Sequence, residues 1–226
     1  WCYGNLCCTM DKLIQLSLMV HIGGGTLALL SAPFAIYLRK QTPKHRIAGR
    51  IYFYSMLVVT ASAFFIAGYK GNAFLFMVGV FSFYSIWDAR RALAQKMLHK
   101  GQKPKWYDWA VIIITLLFNI GLVYFGTKAL LAENGFGFVA LAFGVIGIAL
   151  VLRTIQRFIK LPTDPKDWLY RHVTGMLAGY IATVTAFLAV NLTFLPSVVV
   201  WLAPTVIGSA IITWLMVRLK TGKEGY

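Results

Sequence analysis

Long apolar runs alternate with short polar gaps along almost the whole chain. Seven runs stand out, over about 13–38, 48–69, 72–93, 107–131, 136–156, 172–192 and 196–218. Each is near the ~20 residues that carry a helix across ~30 Å of hydrocarbon at ~1.5 Å per residue. The runs are continuously apolar, whereas a transmembrane strand needs only ~10 residues and strict alternation. A helix also satisfies its own backbone groups in lipid. The pattern therefore predicts an all-α integral membrane bundle of seven transmembrane helices, occupying residues 12–219. Residues 1–11 form an N-terminal segment and 220–226 a basic tail.

The gaps predict an orientation. Arg39, Lys40, Lys44, Arg46 and Arg50 fill the first, Arg90 to Lys105 hold six cations in the third, and Arg153 to Arg171 hold five in the fifth. With Arg218, Lys220 and Lys223 of the tail, nineteen of the 22 Lys and Arg fall in every second gap, on one side of the spans. Only Lys12, Lys70 and Lys128 fall opposite. Cations accumulate on the cytoplasmic side of membrane helices, so the N-terminus is expected outside and the C-terminus inside. Only an odd number of spans preserves this alternation. Trp87, Trp106, Trp109 and Trp168 fall at the expected cytoplasmic interface and Trp201 near the outer one, as an aromatic belt requires.

Composition agrees with this reading. The 226 residues are 59% hydrophobic and 13% charged, against about 25% charged in a soluble domain. Mean hydropathy is +0.70. The net charge of +15 lies in loops beside apolar runs, which suits anionic lipid headgroups rather than nucleic acid. The expected partners are the lipid bilayer and those headgroups. Cys2, Cys7 and Cys8 all precede the first run, so no disulfide framework or cysteine metal cluster supports the fold. The chain begins at Trp1, and Met10-Asp11-Lys12 has the look of a natural start. Residues 1–9 accordingly read as upstream sequence or a remnant of a longer N-terminus. The first run is too long for a cleaved signal peptide and reads as a retained span.

Small residues recur within spans: Gly23-Gly24-Gly25, Gly144 with Gly147, and Gly175 with Gly179. The last pair has the GxxxG spacing that lets helix backbones approach. Packing within the chain is the favoured reading, and a dimer face the alternative.

Ionisable groups inside lipid are costly, so each is a candidate for function. His21 lies 17 residues before the end of the first run, about 25 Å along a helix, which places it in the outer half of the membrane. It reads as a histidine bonded to a neighbouring helix or as a contact to a cofactor, quinone or proton relay. His45, before the second run, and His172, opening the sixth, are both expected at the cytoplasmic surface. With Asp88 they make a candidate transition-metal set of two imidazoles and a carboxylate. The alternative is that Asp88 pairs with Arg90, Arg91 or another loop base and the histidines cap helices or touch headgroups. Haem is a further alternative: His21 has no histidine at its depth, while His45 with His172 would place iron at the cytoplasmic edge. His99, in a Lys-rich loop, reads as solvated. No P-loop, GxSxG elbow or CxxCH motif is present. Pro33 and Pro204 interrupt runs one and seven, without the paired broken helices that point to a secondary transporter.

The segment His21-Ile22-Gly23-Gly24-Gly25-Thr26-Leu27-Ala28-Leu29-Leu30, then Pro33, then Lys44-His45-Arg46-Ile47-Ala48-Gly49-Arg50-Ile51-Tyr52, resembles bacterial membrane proteins grouped as domain of unknown function 2306. Phe81-Ser82-Phe83-Tyr84 and Arg171-His172 through Phe187 resemble them more loosely. The resemblance implies a multi-pass protein of a bacterial inner membrane. It directs interest to His21, His45, Arg46, Arg50 and His172 without giving them roles. The expected function is accessory or small-ligand-binding, with a polar intramembrane site at His21, His45, Arg46, Arg50, Asp88 and His172. A metal- or haem-dependent redox enzyme and a small transporter or channel are the alternatives.

Overall fold

The structure is a computed structural model that describes residues 4–40 and 42–222, with side chains from residue 10. Cys2 and Lys223 and the side chains of Cys7 and Cys8 lie outside the described residues, as do the side chains of 4–9 on which the reading of 1–9 falls. The described chain forms seven α-helices: α1 (Gly4–Tyr37), α2 (Pro43–Tyr69), α3 (Ala73–Ala92), α4 (Trp106–Leu131), α5 (Gly137–Ile159), α6 (Asp167–Asn191) and α7 (Ser197–Lys220). A single 3-10 turn, Leu98–Lys100, lies between α3 and α4.

Six helices, all but α3, are long and apolar enough to cross a membrane. The seven expected runs are thus seven helices, but α3 does not qualify as a span by length and composition. The reason is local. Its uncharged stretch, Ala73–Trp87, is 15 residues, about 22 Å of helix, and Asp88, Arg90 and Arg91 follow at once.

Helix boundaries follow local chemistry. Thr42 caps α2 by accepting the His45 N–H at 3.3 Å, with Pro43 in the first turn, where its missing N–H costs nothing. Between α2 and α3 the chain reverses through Gly71 at φ 63°, a left-handed conformation natural to glycine. Asn72 then accepts the Leu75 N–H. Lys105 opens α4 with its N–H donated to the Asp108 carboxylate at 2.8 Å, which anchors that acid at the first turn.

Two compact units divide the chain, residues 1–79 and 80–226, with the division inside α3. In the first, α1 lies on α2 where Gly24 admits the Val58 and Val59 side chains; a Cβ there would meet them at 3.3 and 3.2 Å. Ala28, Ala32, Tyr52 and Met56 are buried.

In the second unit, α4 and α5 run antiparallel with their backbones in contact. A Cβ on Gly126 would lie 2.8 Å from the Gly137 carbonyl, and one on Gly144 3.0 Å from the Asn119 carbonyl. Gly147 receives the Asn119 side chain directly. Gly175 of α6 faces α3, where a Cβ would come within 2.6 Å of the Ser85 carbonyl. These small residues serve packing within the chain, as expected. Trp201 of α7 makes edge contacts with Phe136 and Phe143. The result brings the C-terminal end of α3, the start of α4, the last turns of α5 and the start of α6 to one place. Charged side chains from three of these elements meet there.

Candidate functional site: a buried charge network and an anchored histidine

Arg171, in the first turns of α6, is only 3% exposed. A guanidinium stays charged at any physiological pH, so burial demands partners. It finds them on α3 and in the segment after it. Nη2 donates to Asp88 Oδ1 at 2.6 Å, Nε donates to Oδ2 at 3.4 Å, and Nη1 donates to the Gln95 side-chain oxygen at 2.9 Å. Gln95 is itself buried and passes the chain on, its amide donating to Asp108 Oδ2 at 3.0 Å. Asp108 completes the series with a two-pronged bond from Arg91, at 2.6 and 2.9 Å. From the far side the Tyr84 hydroxyl donates to Thr154 at 3.0 Å, and Thr154 lies 3.5 Å from Asp88.

Two carboxylates and two guanidinium groups make the network electrically neutral, which lowers the cost of holding it away from water. Its geometry is mostly short and charge-assisted. Phe158 lies under the Arg171 guanidinium and Tyr107 under that of Arg91, with 5.7 and 4.8 Å to the ring centroids. Ile112, Val111 and Phe158 close the surroundings. The cavity left among these groups is about 10 Å³, room for roughly one water and no substrate. Chemically the network is a clasp. It binds α3, Gln95, α4 and α6 to one another and turns its charges inward.

Asp88 therefore has a partner that sequence reasoning left unspecified, Arg171, 83 residues away. Arg91, a candidate partner for Asp88 in the sequence, pairs with Asp108 instead, and neither Gln95 nor Asp108 is among the candidates read from the sequence. One signal was present: Asp108 is an acid three residues after Lys105 at the opening of an apolar helix, the spacing of a capping box.

The histidines do different work. His45 Nδ1 lies 2.9 Å from the Ala35 carbonyl, in the last turn of α1. Lys40 donates to the Ala35 and Ile36 carbonyls at 3.2 and 2.5 Å. Both cap a helix end whose carbonyls have no partner in the helix, where positive charge is favourable. His172 Nδ1 lies 3.1 Å from the Ala89 carbonyl in the last turn of α3 and plays the same part. His99 is exposed and touches only the Lys96 carbonyl, at 3.1 Å. Arg46 and Arg50 are exposed one turn apart on α2. Among the described residues no three His, Cys, Asp or Glu side chains gather as a metal-binding group. Each member of the expected trio is engaged separately: His45 with Ala35, Asp88 with Arg171, His172 with Ala89.

His21 stands apart. Its Nδ1 is 3.1 Å from the Val59 carbonyl and 3.1 Å from the Ser62 hydroxyl, both on α2. A carbonyl only accepts, so the contact with Val59 requires the proton on Nδ1. Nε2 is then the acceptor of the neutral ring, and the half-buried imidazole is held by its other nitrogen. Gly25, one turn further along α1, leaves open space: a Cβ there, or at Gly23, would meet nothing within 4 Å. Packing on α2 accounts for Gly24 and not for its two neighbours.

No family model, curated protein or solved structure matches this chain. The described residues are all-helical, with six helices long and apolar enough to cross a membrane.

Proposed function

We propose that this chain is a seven-span bacterial inner-membrane protein of the kind grouped as domain of unknown function 2306, N-terminus out and C-terminus in. Its role is to bind a small apolar ligand at His21. The observation that carries the ligand reading is the anchored imidazole. Its Nδ1 is committed to Val59 and Ser62, while Gly25, one turn on along the same face of α1, leaves the adjacent helix surface bare. Helical glycine costs about 1 kcal/mol against alanine, and none of the described residues occupies the space that Gly25 opens.

The ligand that fits is flat, apolar and carries a hydroxyl donor, as a quinol does. Its ring lies against Gly25, and its hydroxyl donates to Nε2. The helical fold and the six long apolar helices support the membrane setting. For α3, neutralisation of Asp88 by Arg171 supports insertion, because a paired carboxylate is far less costly near lipid than a bare one. The cation distribution supports both the seventh crossing and the orientation.

The test is thermal unfolding of detergent-purified protein with a short-chain benzoquinol. A ligand at one hundred times its Kd stabilises by about 2.7 kcal/mol. His21→Gln and Gly25→Leu should each abolish the shift. A shift that persists in both variants would place the ligand elsewhere.

A second reading rests on the same anchoring. A histidine whose Nδ1 is held by a carbonyl is also oriented to ligate metal through Nε2. A haem absorption band in the purified protein, lost in His21→Gln, would decide for it.

A further inference from the structure

The second unit carries a groove that the clasp does not use. It is open, about 470 Å³, and lies between the last turns of α5 and the 161–166 connection leading into α6. Small-ligand sites commonly span ~300–1,000 Å³. Arg153, Gln156, Arg157 and Lys160 line one wall. They recur at helical spacing and so share a face of α5. Thr163, Asp164 and Asp167 line the other.

The charges do not balance. Arg157 donates to Asp167 at 3.0 Å. Asp164 is turned to its own loop, where it accepts the Lys166 N–H at 2.7 Å. Neither Arg153 nor Lys160 has an ion pair among the described residues. Elsewhere in this unit the buried Arg171 and the partly buried Arg91 are each neutralised by one carboxylate, Asp88 and Asp108. Here Arg153 and Lys160 line an open groove with no carboxylate paired to either among the described residues.

We propose that this groove is a binding site for a phosphate group. Arg153 and Arg157 present planar guanidinium forks, which match phosphate oxygens two at a time, and Lys160 adds a point charge. The Thr163 hydroxyl supplies a neutral donor on the opposite wall. A phosphate reaches such a site either on an anionic phospholipid or free in water. The lipid source rests on the membrane reading above, in which the end of α5 lies at the cytoplasmic headgroup layer. The phosphate chemistry does not.

The test uses the full chain in detergent micelles, with three probes: phosphatidylglycerol, phosphatidylcholine and inorganic phosphate. The first readout is protection of Arg153 from phenylglyoxal, followed by mass spectrometry on the unaltered protein. Phosphatidylglycerol protecting where the other two do not identifies a lipid headgroup site. Protection by inorganic phosphate as well identifies a phosphate site indifferent to its source. No protection by any probe overturns the proposal.

The second readout is apparent affinity from thermal stabilisation. R153Q/K160Q should weaken the effective probe at least about tenfold, since each lost charge-assisted bond is worth that much. R39Q/K44Q removes the same charge from the exposed α1–α2 connection and should change little. Equal weakening in the two double variants would mean diffuse attraction to a basic surface and would overturn the site. Both double variants should keep the benzoquinol response assigned to His21. Loss of that response in His21→Gln alone, with phosphate protection intact, separates the two sites.

Discussion

Arg171 is the member of the clasp whose removal leaves the most behind. Arg171→Met keeps the stem of the side chain and deletes its guanidinium. Asp88 then loses bonds of 2.6 and 3.4 Å, and Gln95 loses one of 2.9 Å. Breaking a buried ion pair from one side costs about 3–5 kcal/mol, because the remaining charge is stranded. The Asp88 side chain is 17% exposed against 1% for Arg171, so water relieves part of that cost. Stranding the buried Gln95 oxygen adds about 1 kcal/mol or more. The expected loss for Arg171→Met is about 4 kcal/mol. Asp88→Asn keeps an acceptor for the guanidinium and should lose about 2 kcal/mol. The double variant no longer strands a charge. It should lose about 3 kcal/mol, where independent sites would lose about 6. The assay is reversible unfolding in mixed dodecylmaltoside–dodecylsulfate micelles, followed by far-ultraviolet circular dichroism. Arg157→Gln is the control, since its partly exposed pair with Asp167 is worth at most about 1 kcal/mol. Strict additivity in the double variant, or an Arg171→Met loss no larger than the control's, would refute the clasp.

Other outcomes follow from the same geometry. Gly147→Ala drives a methyl group into the Asn119 side chain and should cost about 1–3 kcal/mol of stability; Asn119→Ala in the same chain should recover most of it in the same micelle assay. Gly24→Ala must displace Val58 and Val59 and should lower the unfolding midpoint. In ligand-free protein Gly23→Ala meets nothing within 4 Å and should raise stability by up to about 1 kcal/mol through helix propensity. His45→Ala should cost less than about 1 kcal/mol, because Lys40 donates to the same Ala35 carbonyl; adding Lys40→Ala should cost visibly more than either change alone.

Most of the helical framework is legible in the order of apolar and polar residues. The end of α2 at Tyr69 and of α4 at Leu131 fall where the apolar runs stop. Local chemistry explains the offsets: α2 begins at Pro43 rather than 48 because Thr42 and Pro43 start the helix within the basic gap. α6 likewise begins at Asp167, five residues before its apolar run. Length and charge decide α3 in opposite senses, since 15 uncharged residues fall short of a bilayer while the cation alternation asks for a crossing. The capping role of His45 and His172 is visible as one alternative in the sequence. The carbonyls of Ala35 and Ala89 that these rings reach are revealed by no spacing rule. The clasp is the least legible part. Asp88 and Arg171 lie 83 positions apart, and each has nearer opposite or like charges that sequence alone cannot rank. Gln95 carries no charge and gives no signal until Arg171 and Asp108, which it bridges, are in place. His21 is conspicuous from its apolar surroundings, whereas the nitrogen it leaves free depends on Val59 and Ser62.

The measurement closest to the centre of this account is the sidedness of α3. In a chain with Cys2, Cys7 and Cys8 changed to serine, Asn72→Cys and Gln102→Cys place single thiols at its two ends. A membrane-impermeant maleimide applied to intact spheroplasts should label Asn72→Cys and leave Gln102→Cys untouched until the membrane is opened. Equal labelling of both in intact spheroplasts, or of neither, would mean that α3 does not cross, and the seventh span and the inward face of the clasp would go with it.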